Sequence, residues 1–141
     1  MQRVLIVDDH QEIRLIYSHL LRNAGYQVDC AINGREALAA LDRNAPDLIL
    51  LDVFMPIMNG AEFLEHLKQD PRHNALPVLL FSAVSDSPEV IYAMKLGVAQ
   101  FIRKGDFGLN ELLGIVQSTL LNNSGHMQNP SGNQTGSQYH H

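Results

Sequence analysis

Residues 46–60 read PDLILLDVFMPIMNG, and how this stretch is read decides the fold. Four consecutive apolar residues, Leu48–Leu51, run straight into the carboxylate of Asp52, and Val53, Phe54, Met55 and Pro56 follow at once. A short unbroken apolar run bounded by turn residues is the mark of a strand buried on both faces. Such a strand normally ends on Asn, Ser or Gly, so a carboxylate at its tip calls for a reason.

The same pattern recurs on either side. Residues 3–8, RVLIVD, form a strand that runs into Asp8–Asp9, residues 77–82, PVLLFS, one that ends on Ser82, and residues 99–104, AQFIRK, one that runs into Lys104. YQVDCA, residues 26–31, supplies a fifth. Helical periodicity fills the gaps: residues 11–25 with Ile13, Ile16, Leu20 and Ala24 on one side, 34–44, 60–70 with Phe63, Leu64 and Leu67 turned inward, 87–97 with Pro88 near its start, and 109–121. Strand and helix alternate throughout, which predicts an α/β domain with a parallel sheet covered on both faces. Right-handed crossovers restrict the topology, and the strand order 2-1-3-4-5 is one of the two common solutions.

With 141 residues, 45% of them hydrophobic, the chain makes one domain with a real core. Cys30 is its only cysteine, so an intrachain disulfide is excluded and a reducing, cytoplasmic setting is expected. No run is long enough to span a bilayer, and RVLIVDDH turns acidic too early for a signal peptide. The formal charge of −5, with no basic cluster, argues against direct nucleic-acid binding. Every charged residue lies before position 112. Of the last twenty residues, fourteen are Asn, Gln, Ser, Thr or Gly, so a domain over 1–121 and a disordered tail, linker or tag remnant over 122–141 are expected.

In the 2-1-3-4-5 order the first and third strands are neighbours, which gathers Asp8, Asp9 and Asp52 at the carboxyl edge of the sheet. Carboxylates held this close raise one another's pKa unless a cation neutralises them. A set of oxygen donors with no His or Cys near it calls for a hard ion, Mg²⁺ or Mn²⁺. Ser82 and Lys104 are expected at the same edge. Taken singly, Asp9 would be a helix cap, Ser82 another, and Lys104 a solvated loop lysine; their convergence carries the argument. Together they can receive a phosphoryl group. Asp52 is the nucleophile, a cation and Lys104 hold two phosphoryl oxygens, and the Ser82 hydroxyl bonds a third.

VLIVDDH, DLILLDVFMPIMNG, VLLFSA and AQFIRKG, in this order and spacing, resemble the receiver domain of two-component response regulators over residues 2–121. The resemblance implies a flavodoxin-like, doubly wound three-layer sandwich with five parallel strands and five helices. It makes Asp52 the acceptor of a phosphoryl group from a histidine kinase or histidine phosphotransfer protein. Asp9 becomes a direct Mg²⁺ ligand, Asp8 one acting through metal-bound water, and Phe54 the source of a backbone-carbonyl ligand. Ser82 and Phe101 become switch residues, and Lys104 the phosphate-binding lysine. The output is a downstream protein or domain, or a homodimer, engaged through residues 86–121.

Gly105 stands where the family usually has proline after the lysine, and a trans bond is expected there. Phe101 lacks a hydroxyl and can switch only by packing. Phe54 and Val84, at positions that tune hydrolysis of the acyl phosphate in the family, are both apolar and give no help to an attacking water. An aspartate-nucleophile phosphatase of the haloacid dehalogenase class would want a second acid two residues after the nucleophile, where this chain has Phe54. G-x-x-x-x-G-K is absent, and no G-x-G-x-x-G follows the first strand. A receiver-like module that works without phosphorylation would normally have lost part of the acid–Ser–Lys set.

Overall fold

A computed structural model of the chain describes the backbone of residues 1–128 and the side chains of residues 1–123. Five strands, β1 (Arg3–Val7), β2 (Gln27–Ala31), β3 (Leu48–Asp52), β4 (Val78–Ser82) and β5 (Gln100–Arg103), alternate with five helices, α1 (Gln11–Asn23), α2 (Gly34–Arg43), α3 (Gly60–Gln69), α4 (Pro88–Leu96) and α5 (Leu109–Gln128). The strands are all parallel, in the order 2-1-3-4-5. This is the expected flavodoxin-like sandwich.

Alternation along each strand divides the core in two. Leu5, Val7, Ile49, Leu51, Val78 and Leu80 face α2, α3 and α4, where Ala37, Phe63, Leu64, Leu67, Val90 and Ala93 meet them. Val4, Ile6, Leu48, Leu50, Leu79, Phe81 and Ile102 face α1 and α5, through Leu21, Leu112, Val116 and Leu120. All five residues of β3 and of β4 are buried, as unbroken apolar runs require. Each fully buried Leu or Ile contributes about 1.5–3 kcal/mol.

Helix starts follow from their capping chemistry. Asn59 and Glu62 form a reciprocal capping box on α3, Asn33 caps α2 through Glu36 N–H, and Ser87 caps α4 with Pro88 just inside.

Three expectations change, and the alternative of Asp9 as a helix cap falls away. β1 stops at Val7 and β5 at Arg103, so Asp8 and Lys104 sit one residue beyond their strands. Asp9 does not cap α1: His10 is the N-cap residue, with no side-chain cap bond. The buried line of α1 runs through Ser18 and Leu21, because the small Ser18 fits against β2 with its hydroxyl 3.3 Å from Cys30 Sγ. Leu20 packs against the core only in part, and with Ile16, Leu109 and Leu113 it lines a groove of about 260 Å³. Finally, α5 continues to Gln128, seven residues past the helix end expected at 121. The remainder of the expected tail, 129–141, lies outside the described residues.

Candidate functional site

Register brings the acids together. Val7 lies opposite Leu51 in the β1–β3 ladder, so the next residues, Asp8 and Asp52, leave the sheet side by side. Both are 3% exposed. The chain leaves Asp52 through Val53, whose N–H donates to Phe81 O, and closes on itself where Gly60 N–H donates to Val53 O at 2.8 Å. Gly60 is required at this closure: a Cβ there would lie 2.2 Å from the Asp52 carbonyl oxygen. In the same loop Ile57 has φ of 71°, a left-handed conformation that costs a β-branched residue energy.

Lys104 reaches into the cluster from beyond β5. Its ammonium lies 3.1 Å from Asp52 Oδ1 and 3.2 Å from Asp8 Oδ2, bridging the two buried carboxylates. Burial works against the charged ammonium, but Asp52 and Asp8 outweigh it and raise its pKa. Burial, reinforced by the Asp8 charge, pushes Asp52 up to about 6, and Lys104 offsets only part of that rise. A buried carboxylate whose pKa rises beside a lysine has too little positive charge around it.

The backbone N–H of Lys104 donates to Ser82 O at 2.8 Å, which locks the ends of β4 and β5 together. Ser82 is fully buried at the same edge, but its hydroxyl accepts from Val84 N–H at 3.2 Å and does not touch the carboxylates. Gly105 follows with φ of 92°, and no described peptide bond is cis. A proline, fixed near −65°, does not fit that turn. Phe101, opposite Leu80 in the β4–β5 ladder, is half-buried against the α2–α3–α4 side of the core. Phe54 and Val84 are exposed at the rim, at 43% and 41%.

The expectation that no histidine lies near the acids does not hold. The His10 imidazole Nδ1 is 2.9 Å from Asp8 Oδ1 and 3.2 Å from Asp9 Oδ1. The hydrogen bond with Asp8, then the charges of Asp8 and Asp9, raise its pKa. His10 directly follows Asp9, so its presence was readable, but spacing alone does not say which way an N-cap side chain turns. Arg14 Nη1 donates to Asp8 O at 2.9 Å and steadies the same turn.

Asp8, Asp9, His10 and Asp52 each place one ligand atom within 4.8 Å of the others. Asp9 and Phe54 also line a shallow depression of about 340 Å³ with Met55, Pro56 and Asn59. A mainly carboxylate donor set, short of positive charge and open to solvent on one side, fits a hard divalent cation. Among the described residues no helix is long and apolar enough to cross a membrane.

Known proteins carry the same architecture. The family model described as "Response regulator receiver domain" matches residues 4–117. The transcriptional regulator NtrC of Salmonella typhimurium is 36% identical over 122 residues, which is 85% of this chain and 25% of that protein. PleD of Caulobacter vibrioides is 38% identical over 103 residues, 72% of this chain and 22% of that protein. This chain thus spans about a quarter of the length of these curated relatives. Among solved structures, the signal receiver domain of a histidine kinase from Syntrophus aciditrophicus superposes with a TM-score of 0.79 at 34% identity, covering 86% of this chain and 92% of that one. The chemotaxis protein CheY4 of Vibrio cholerae superposes at 0.76 and 34% identity, covering 84% and 98%. With the 2-1-3-4-5 sheet and an acidic cluster at its carboxyl edge, these matches establish that the chain belongs to the response regulator receiver domain family and serves, as that family does, in phosphotransfer signalling.

Proposed function

We propose that Asp52 is the phosphoacceptor, and that it takes its phosphoryl group from the phosphohistidine of a histidine kinase or histidine phosphotransfer protein. One observation carries this reading: Asp52 is a buried carboxylate at the tip of the central strand, beside a second buried carboxylate and held by a lysine ammonium. The likeness to the receiver domain of a histidine kinase supports the donor class.

In this reading an Asp52 oxygen attacks phosphorus, the P–N bond to the donor imidazole breaks, and the imidazole keeps the electron pair and takes up a proton. With a pKa of about 6, Asp52 is ionised and competent at neutral pH. Lys104, already in contact with Asp52, turns to a phosphoryl oxygen. The Ser82 hydroxyl gives up its acceptor role toward Val84 N–H and donates to another oxygen. Asp8, Asp9, Asp52 and the Phe54 carbonyl would hold Mg²⁺, with Mn²⁺ as substitute, and the ion supplies charge neutralisation of the phosphoryl oxygens when bound. Phe54 and Val84 bring no acid or base to the rim to activate water, so the domain catalyses its own phosphotransfer and autodephosphorylation without turning over external substrate.

Inward movement of Ser82 frees space next to β4, which the half-buried Phe101 ring fills. The face made by α4, β5 and α5 then changes, and with it affinity for a downstream protein, an output domain or a second copy. Exposed Ile91, Tyr92 and Met94 on α4 supply apolar surface for such a contact. A cytoplasmic location fits this chemistry.

The test is incubation with a small phosphodonor and Mg²⁺, followed by intact mass and mapping of the acyl phosphate. One phosphate at Asp52, absent from Asp52→Asn, is expected. An undiminished adduct in that variant refutes the assignment.

A further inference from the structure

Helix α4 is held to the rest of the domain by little. Of its nine residues only Val90 and Ala93 are buried, and Ile91, Tyr92 and Met94 are exposed. Among the described residues, one hydrogen bond ties a side chain of α4 to another element: the Tyr92 hydroxyl donates to Glu65 Oε2 on α3. Lys68 lies one turn further along the same face of α3 and meets the other end of α4. Its ammonium is 3.6 Å from where a Cβ on Gly97, the C-cap of α4, would stand. A cation suits the carbonyl end of a helix. Lys68 is half-buried there, and loss of solvent lowers its pKa. The seam between α3 and α4 is thus closed by a polar contact at each end.

Both contacts belong to the resting domain. The Ser82 hydroxyl is turned to Val84 N–H, and Lys104 bridges the two buried carboxylates. Phe101 packs on the same side of the core as Val90 and Ala93, so a ring that moves inward presses on α4. Helix α4 yields by moving over α3, and the Tyr92–Glu65 bond spans the surface on which it would move.

We propose that the Tyr92–Glu65 hydrogen bond is an autoinhibitory strap: it holds α4 on α3 in the resting position and opens when Ser82 and Phe101 switch. The proposal rests on that switch and on Asp52 as phosphoacceptor. In a domain that rests mostly in one form, a contact present only in that form weakens binding of the phosphoryl group or its mimic by the factor it contributes to the resting state. The net contribution of one hydrogen bond corresponds to about two- to tenfold in an equilibrium.

The experiment uses the full chain. Tyr92→Phe removes the hydroxyl and keeps the ring, Glu65→Ala removes the acceptor, and neither residue belongs to the carboxylate cluster. Affinity for beryllofluoride with Mg²⁺, read from amide spectra, and the rate of phosphorylation by acetyl phosphate should each rise about two- to tenfold in both single variants. The double variant should gain no more than a single one, because the same bond is lost in each case. Unchanged or weakened affinity in Tyr92→Phe, or single effects that multiply in the double variant, overturns the strap; a merely structural bond would loosen α4 and leave affinity alone. Amide exchange across residues 88–97 without ligand should quicken in both single variants, and unchanged exchange overturns the strap whatever Asp52 does. If the wild type takes up neither beryllofluoride nor phosphate, the Asp52 reading fails, which is a separate result, and the exchange measurement still decides the strap.

Discussion

Replacing Asp52 by Asn should make the metal-free protein more stable, and by an amount that depends on pH in a defined way. Burial and the Asp8 charge lift the folded-state pKa of Asp52 from 3.8 to about 6. Folding therefore favours the protonated carboxyl. The stabilisation is fully present below the unfolded pKa, declines as pH rises, and is lost once pH passes about 6. A displacement of about two pKa units corresponds to about 3 kcal/mol between the two ends of that window. Asn keeps the shape of the side chain and cannot ionise, so the difference between variant and wild type reports the titration of Asp52 together with its coupling to Asp8 and Lys104. Urea unfolding in a chelator should give nearly equal stabilities at pH 4 and an advantage to Asp52→Asn of up to about 3 kcal/mol at pH 7.5, or roughly 10 °C in melting temperature. Lys104 keeps Asp8 as a partner in the variant, so the substitution does not orphan a buried ammonium. A difference that stays flat from pH 4 to 8, or a variant less stable at pH 7.5, would refute the argument that the site is short of positive charge.

Asp9→Asn should abolish most of the rise in melting temperature that Mg²⁺ gives the wild type; an unchanged rise counts against Asp9 as a ligand. Gly60→Ala sets a methyl group against the Asp52 carbonyl and should destabilise by about 2–4 kcal/mol while slowing phosphorylation. Denaturant unfolding with acetyl phosphate kinetics checks both, and a variant as stable as wild type shows that the closure can relax. Phe101→Ala should accept phosphate at near wild-type yield and lose much of the amide shift that beryllofluoride produces across residues 86–121. A full set of shifts would make Phe101 core filling and route the signal elsewhere.

The strands were legible because β3 and β4 are buried on both faces, which leaves the sequence no freedom to alternate. That made the tips of those strands legible too, and Asp52 and Ser82 with them. Lys104 and Asp8 were placed at the right edge, though each stands one residue beyond its strand. The helices were less legible. Ile13, Ile16 and Leu20 keep helical spacing on α1 and Ala24 falls at its C-cap, yet Ser18 is the residue pressed against β2, a choice set by side-chain size rather than polarity. The orientation of His10 and the local bond of the Ser82 hydroxyl were not legible, since both depend on side-chain rotation at the end of an element. Gly105 stands out as a departure in the sequence; its positive φ shows a turn built differently, with the lysine still in place.

The division of the core by the sheet has a consequence for how such a domain can diversify. Neighbours on one strand answer to different helices: Phe101 packs with α4, whereas Ile102, the next residue, packs with α5. A change of ring position at Phe101 thus reaches α4 directly, and reaches α5 only through β5, where Ile102 carries it to the other side of the sheet. Surfaces on the two sides can be rewritten separately, and a new listener on α4 need not disturb α1.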